Sequence, residues 1–428
     1  MASARKDKKG RALYKGENEH AAGGYYYQYM HHGKRRTVYA PSLPELREKE
    51  DQIKKAMMDG LDSHLAKTKT LNDMFDEYMR LKTDIRETTR ANYTYMYNHF
   101  VRDSFGKRKV GSIKYTDVKE FYLSILQNDM MKASTLESIH TVVRPSMQLA
   151  VRNDIIMKNP CNDVMAEIKR SAFWEKDKRH ALTEEEQDAF LQYLAEHEEM
   201  RRWYIVFTVL IGTGMRLGEF SGLRWDDVDF EENYIDVNHQ AVYYSHGDRK
   251  CRWGISIPKT ENGVRIIPML EPVREALLEE YEWQKEHGFS KYKLDGYSGF
   301  VFTNRFDNLY NQGCLNKQIE RIRQAYNQEE EIKANREKRR PLLLPHFTNH
   351  QLRHTFCSRL CEQDVNVKLI QEVMGHADVS TTFDIYAEFS AKKKKEAFKL
   401  LEMVVLSRRR RKPSKMMAIS IVSEATDL

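Results

Sequence analysis

Four short stretches in the second half of the chain hold residues that packing does not explain. "TGMRLGE" sets Arg216 between two glycines that let the backbone come close to something, and "SIPKTENG" puts Lys259 at a strand end before a tight turn. "HQLRHTF" spaces His350 and Arg353 three apart, which places them on one face of a helix. "MGHADVSTTFDIYA" holds His376 and Tyr386 across a run of small polar and β-branched residues that would make a poor helix interior. Together these supply two guanidiniums, one ammonium, two imidazoles and a phenol, with no paired carboxylates beside them. Two arginines can fork onto the non-bridging oxygens of a phosphate and offset charge on a five-coordinate transition state. A phenol can be the nucleophile that splits one hard transfer into two easier ones, and a lysine or histidine can protonate the departing oxygen. The set suits phosphodiester transesterification without metal or other cofactor.

The order Arg, Lys, His-x-x-Arg, Gly-His, Tyr resembles the motif series of the tyrosine recombinase (phage integrase) family, over about residues 180–400. The resemblance implies that Arg216 and Arg353 clamp the scissile phosphate while Lys259 protonates the 5′ oxygen. It implies further that His350 assists proton transfer, that His376 hydrogen-bonds the phosphate and that Tyr386 forms a 3′-phosphotyrosyl link. "ADVSTTFDI" would then be the segment that delivers or withholds the tyrosine. The implied activity is site-specific recombination that integrates and excises a mobile element, by a homotetramer on double-stranded DNA with core and arm sites. Accessory DNA-bending or directionality proteins are further implied partners.

Three other readings compete. His350, His354, Cys357 and Cys361 recur at three- and four-residue steps, as zinc ligands might be spaced, but on one straight helix they would spread over about three turns, too far for a tetrahedral site. The two cysteines read better as small buried hydrophobes. A type IB topoisomerase would use similar groups, and a DNA-binding module would not need all six reactive ones.

The elements that must position these groups follow from periodicity. A chain of 428 residues suggests about three domains, and a hydrophobic share of 41% is ample for packing. No apolar run of about eighteen residues or signal-like start is present, so a cytoplasmic, nucleoid-associated protein without membrane contact is expected. The five cysteines, an odd number in a long chain, argue against a disulfide framework. The net charge of +7 is modest, but basic runs such as "GKRR" and "RRRRK" suit a polyanion.

A mainly α, multidomain protein is expected. Residues 1–22 read as a disordered basic N-terminus, and 23–65 as a small β-rich domain with one helix, its stripe Leu46, Ile53, Met57 and Leu61. Lys34, Arg35 and Arg36 would sit on its hairpin as DNA contacts, and the segment is similar to the arm-binding domain of integrases from conjugative transposons and temperate phages of Gram-positive bacteria. Residues 69–165 read as a helical domain with aromatic core stripes, a capping box at Ser134 and Glu137 and a Pro145 kink; the resemblance implies a core-binding domain. Residues 166–181 are expected to be a linker, 182–406 a mixed α+β catalytic domain opening on a Thr183–Glu186 capping box, and 407–428 a basic flexible tail. Within the catalytic domain "YIDVN", "GISIPK" and "VRIIPM" read as strands, the last two joined by the turn "TENG", and 327–341 reads as a solvent-exposed extension. The amphipathic "FKLLEMVVL" could pack within the chain or onto a neighbouring protomer.

Overall fold

The computed structural model describes residues 5–385 except 32, 59, 128–130, 175–180, 246–249, 259–262, 364, 377, 381 and 384, and for Lys34, Ala56 and Ser63 the backbone alone. The chain divides into two compact units, one through 178 together with 245–250, the other 179–244 with the residues from 251 on.

The first unit opens on an antiparallel sheet, β1 (Glu17–Glu19), β2 (Tyr25–His31) and β3 (Lys34–Ala40), with β2 in the middle. The register pairs Tyr25 with Ala40, Tyr27 with Val38 and Tyr29 with Arg36. These residues share one face because successive strand side chains alternate, and α1 (Leu43–Met58) packs on that face. Tyr25, Ala40, Leu43 and Leu46 form the small core. Of the expected helical stripe, Leu46 and Ile53 are buried, whereas Met57 is exposed.

The N-terminus is ordered from residue 5, contrary to its polar composition. Asp7 is buried, where its carboxylate accepts from the Arg11 backbone at 2.7 Å, from Arg11 Nε at 2.8 Å and from Tyr25 Oη at 2.9 Å. Glu17 is likewise buried and accepts from Arg47. Composition suggests disorder because it counts these charges as solvated; here each has a partner.

A short α2 (Ser63–Thr68) leads into a bundle of α3 (Leu71–Leu81), α4 (Glu87–Phe100), α5 (Tyr115–Leu126), α6 (Ala133–Arg152) and α7 (Val164–Ile168). The aromatic stripes supply its core, with Phe75 stacked on Tyr97 and Tyr122 fully buried. Ser134 is not a cap, because α6 starts before it with Lys132 at the N-cap, and the helix runs through Pro145. The expected linker also begins later than 166. Val164 and Ile168 are core residues and Trp174 packs against them, so the bundle holds the chain to 174. Its helix there, five residues long, is too short for a period to be seen.

The second unit starts with α8 (Glu184–Glu196), where the Thr183–Glu186 box is formed: Thr183 N–H donates to Glu186 Oε2 at 2.8 Å, and Glu186 N–H to Thr183 Oγ1 at 3.1 Å. Next come α9 (Arg201–Thr213), buried from Ile205 to Ile211, and the short α10 (Leu217–Gly222). Strands β4 (Val228–Asp229), β5 (Tyr234–Val237), β6 (Gln240–Ser245), β7 (Cys251–Ser256) and β8 (Arg265–Pro268) follow. Among the described residues the expected β7–β8 pairing is not made. β7 pairs with β6, while β8 crosses to β5 in the sheet β4-β5-β8. A turn signal is local and does not choose the pairing partner, and here the apolar inner sides of β5 and β8 (Ile235, Ile267) bring those strands together over the main core.

Helices α11 (Glu271–His287), α12 (Gln312–Glu337), α13 (Asn349–Glu362) and α14 (Val367–Met374) complete the unit. The 327–341 stretch is not a free extension. It continues α12, turns at Lys338 in a left-handed conformation (φ 56°) and folds back so that Arg339 grips the buried Glu330. Among the described residues no helix is long and apolar enough to cross a membrane. Mainly α architecture with a small N-terminal sheet and a mixed α+β C-terminal unit agrees with the reading from sequence.

Candidate active site

The site begins where α9 ends. Gly214 takes a left-handed conformation (φ 60°) as its C-cap, and a Cβ there would come within 2.4 Å of the Phe356 ring on α13. A Cβ at Gly218 would meet Ala241 O at 2.9 Å. The glycines flanking Arg216 thus let α13 and β6 approach the turn, and the close partner is the protein itself. Arg216 is the N-cap of α10 and is held by Glu219, whose Oε2 accepts the Arg216 backbone N–H and whose Oε1 accepts Nη1, both at 2.8 Å.

Glu219 has a second cation. Arg265, brought in on β8, donates Nη1 to Oε1 at 3.0 Å and Nη2 to Oε2 at 2.7 Å. Burial alone would raise the Glu219 pKa, but the bonds and charge of Arg265, with Arg216 and Arg353 behind, carry it down to about 2. The carboxylate is therefore ionised at neutral pH. Three guanidiniums surround one carboxylate, leaving a surplus of positive charge.

The arginines also converge on the carbonyl end of α14. Arg265 Nε donates to Val373 O at 2.6 Å, Arg353 Nη2 to Met374 O, and Arg216 Nη2 to Gly375 O at 2.6 Å. A helix C-terminus presents unpaired carbonyls and a partial negative charge, so cations are favoured there. Arg353, on α13, is buried and donates in addition to Gly214 O at 2.7 Å. Burial first, then Arg216, lowers its pKa to about 9, so it stays charged at neutral pH.

His376 follows directly. Gly375 ends α14 in a left-handed conformation (φ 62°), the His376 N–H returns to Gln371 O at 3.1 Å, and Nδ1 lies 2.8 Å from Thr382 Oγ1. Burial, then Arg353 and Arg216, lower its pKa to about 4, so the imidazole is neutral at pH 7. His350 is exposed on the first turn of α13, its ring edge-on to His354 with centroids 4.9 Å apart. Arg216, Arg353 and His376 are thus gathered at one place, with His350 one turn before Arg353 on its helix. Lys259 and Tyr386 lie outside the described residues. Cys357 and Cys361 are buried with Phe356, Ile370 and Met374, as small hydrophobes.

On the N-terminal sheet the three basic residues separate. Arg35 is exposed, on the face opposite α1. Arg36 turns inward and donates to Asp62 at 2.9 Å, and Asp62 in turn caps α2 and donates its N–H to Asp154 O at 2.8 Å. Arg36 therefore ties the hairpin to the helical bundle instead of facing solvent. Adjacent residues of a strand must point to opposite faces, which the sequence reading of Arg35 and Arg36 as equivalent overlooked. The Lys34 side chain lies outside the described set.

Residues 180–393 match the model of the phage integrase family, 1–57 that of the DNA-binding domain of Tn916 integrase, and 70–126 that of the phage integrase N-terminal SAM-like domain. The chain belongs to the phage integrase family. The transposase from transposon Tn1545 of Streptococcus pneumoniae is 29% identical over 401 residues, 90% of this chain and 94% of that one. That from Tn916 of Enterococcus faecalis is 28% identical with the same coverage. Among solved structures, the Tn1549 transposon integrase in complex with transposon right end DNA is 26% identical, with a TM-score of 0.66 over 77% of this chain and 99% of that one. The recombinase is a tyrosine-type enzyme of the conjugative-transposon kind, and its activity is the site-specific recombination that excises and integrates a mobile element.

Sequence reasoning missed Glu219 and Arg265. Both had a signal: Glu219 stands three residues after Arg216, the capping-box spacing, and Arg265 stands two residues before Ile267 and so shares its buried face, where a charge on the inner side of β8 required a partner. Breaking a buried pair by removing one member strands the other, at a cost of about 3–5 kcal/mol. Glu219→Ala is expected to lose stability of that order in denaturant unfolding, whereas a loss under about 1 kcal/mol would mean that Arg265 is not confined as described.

Proposed function

We propose that the recombinase cleaves and rejoins DNA by transesterification without a metal. The Tyr386 oxygen attacks the scissile phosphorus, the bond to the 5′ oxygen breaks, and a 3′-phosphotyrosyl link conserves the bond energy for rejoining. Arg216 and Arg353 hold the non-bridging oxygens, neutral His376 hydrogen-bonds the same phosphate, Lys259 gives the 5′ oxygen its proton and His350 assists that transfer. The observation that carries this reading is the convergence of Arg216 and Arg353 on the residues just before His376. The donors that would hold a phosphate are gathered before DNA arrives, which is what electrostatic catalysis requires.

The N-terminal sheet is proposed as the arm-site reader and the helical bundle as the core-site clamp, acting on double-stranded DNA in the cytoplasm. The matches to DNA-binding and SAM-like domains support this. The uncovered face of the sheet carries Tyr26, Gln28 and Met30 opposite Tyr39, Thr37 and Arg35, with Met30 and Tyr39 more than half exposed. It offers aromatic, amide and cationic groups at strand spacing, suited to a groove. Exchange between two duplexes calls for four protomers, so a homotetramer on DNA is part of the proposal, as are accessory bending or directionality proteins.

Two outcomes test it. Tyr386→Phe is expected to bind a nicked suicide core site as the wild type does and to form no covalent adduct; an adduct with that variant would assign the nucleophile to another residue. Arg35→Ala is expected to weaken binding to an isolated arm repeat and to reduce the salt dependence of that binding by about one phosphate contact. Arg36→Ala is expected to lower the thermal stability of the N-terminal unit instead. If Arg36→Ala weakened arm binding more than Arg35→Ala at unchanged stability, the proposed face would be wrong.

A further inference from the structure

We propose that Arg265 is a positioning residue of the cleavage step, one that neutralises Glu219 so that Arg216 keeps its positive charge for the scissile phosphate; the inference rests on the recombinase reading above. Both arginines share the same two carboxylate oxygens of Glu219, yet they differ in access. The Arg265 side chain is 5% exposed and that of Arg216 38% exposed. Of these two, Arg216 is the one that lies open to solvent, and Arg265 occupies the carboxylate from the buried side.

The charge balance gives this geometry its consequence. Glu219 paired with Arg216 alone would be a neutral couple, and an approaching phosphodiester would compete with a buried carboxylate for that guanidinium. With Arg265 forked onto both oxygens, Glu219 is matched before Arg216 is counted. Glu219 then orients Arg216 through its backbone N–H and Nη1 without consuming its charge. The third Arg265 bond, Nε to Val373 O, fixes the same residue to the end of α14, beside the carbonyls that receive Arg353 and Arg216. Arg265 therefore links the β8 strand, the carboxylate that aims Arg216 and the helix end that precedes His376. A buried ion pair is a poor way merely to hold a fold, since packed apolar residues do it as well or better; this pair instead sets how much charge the site presents.

The test measures single-turnover covalent capture on a nicked core-site DNA, at saturating protein, with the scissile phosphate either ordinary or replaced by a methylphosphonate, in which one non-bridging oxygen is a methyl group and the phosphate charge is removed. Arg265→Met is expected to slow capture of the ordinary substrate on the order of 10–100-fold, somewhat below the ~10²–10³ that loss of a direct donor costs. On the uncharged substrate it should slow capture by no more than about threefold, because charge at Arg216 no longer matters there. Arg265→Lys, which keeps the charge and gives up the fork, is expected to preserve the wild-type ratio of the two rates. Equal slowing on both substrates would make Arg265 a structural residue, and no slowing on either would make it irrelevant; each result overturns the proposal. Should Arg265→Met not fold, Arg265→Lys decides, since a ratio shifted away from wild type would overturn it. If the wild type itself formed no adduct, the recombinase mechanism would fall; a wild-type adduct with an unchanged Arg265→Met ratio removes only the role of Arg265.

Discussion

A helix end buried in protein must have its last carbonyls satisfied, and at α14 this requirement organises the site. Gln371 O receives the His376 N–H and Glu372 O the Gly375 N–H, as helix geometry provides. Val373, Met374 and Gly375 then each receive one N–H from a different arginine, and the carbonyl of His376 takes the Gln371 side-chain amide at 3.1 Å. The three arginines come from β8, from α13 and from the turn between α9 and α10. Elements far apart in sequence are fastened at one point by guanidiniums, two of which, Arg216 and Arg353, are the proposed phosphate ligands. Backbone accounting and catalytic preorganisation are served by the same bonds.

Two electrostatic consequences follow. Like charges gathered around a single carboxylate would repel and scatter in water, but here they are spaced by Glu219 and by the carbonyl dipoles, so the surplus is stored in fixed positions. The imidazole of His376, next to that surplus, is kept neutral at physiological pH and holds a hydrogen bond to Thr382. A phosphate entering the cluster would compensate the guanidiniums and so offset the part of that depression that their charge causes, while burial would still hold the value down. DNA binding and the protonation of His376 are therefore linked.

The sequence disclosed the reactive groups more readily than what supports them. The order and spacing of Arg216, His350, Arg353 and His376 could be read because each stands beside glycine or within a helical i, i+3 repeat, which local rules interpret. Arg265 was passed over as a strand residue because the partner that explains it lies forty-six positions away and only pairing of β8 with β5 brings it near. The same non-local choice defeated the β7–β8 hairpin. Order at residues 5–22 and in 327–341 was missed for a related reason, since both depend on buried charges, Asp7 and Glu330, whose partners a composition count treats as solvent-facing. Arg36 is the opposite case: strand alternation, a local rule, separates it from Arg35.

A fixed surplus of guanidinium charge surrounds the end of α14. The most direct measurement is the titration of the His376 ring by NMR, in the free protein and in complex with core-site DNA. A depressed folded-state pKa means that the unfolded chain takes up its proton first as pH falls, so His376 contributes stability above about 6.5 that is lost as pH drops toward 4. The account predicts a free-protein pKa near 4 and a clear upward shift when DNA is bound. Titration at the ordinary histidine value of about 6.5 in both states would contradict it.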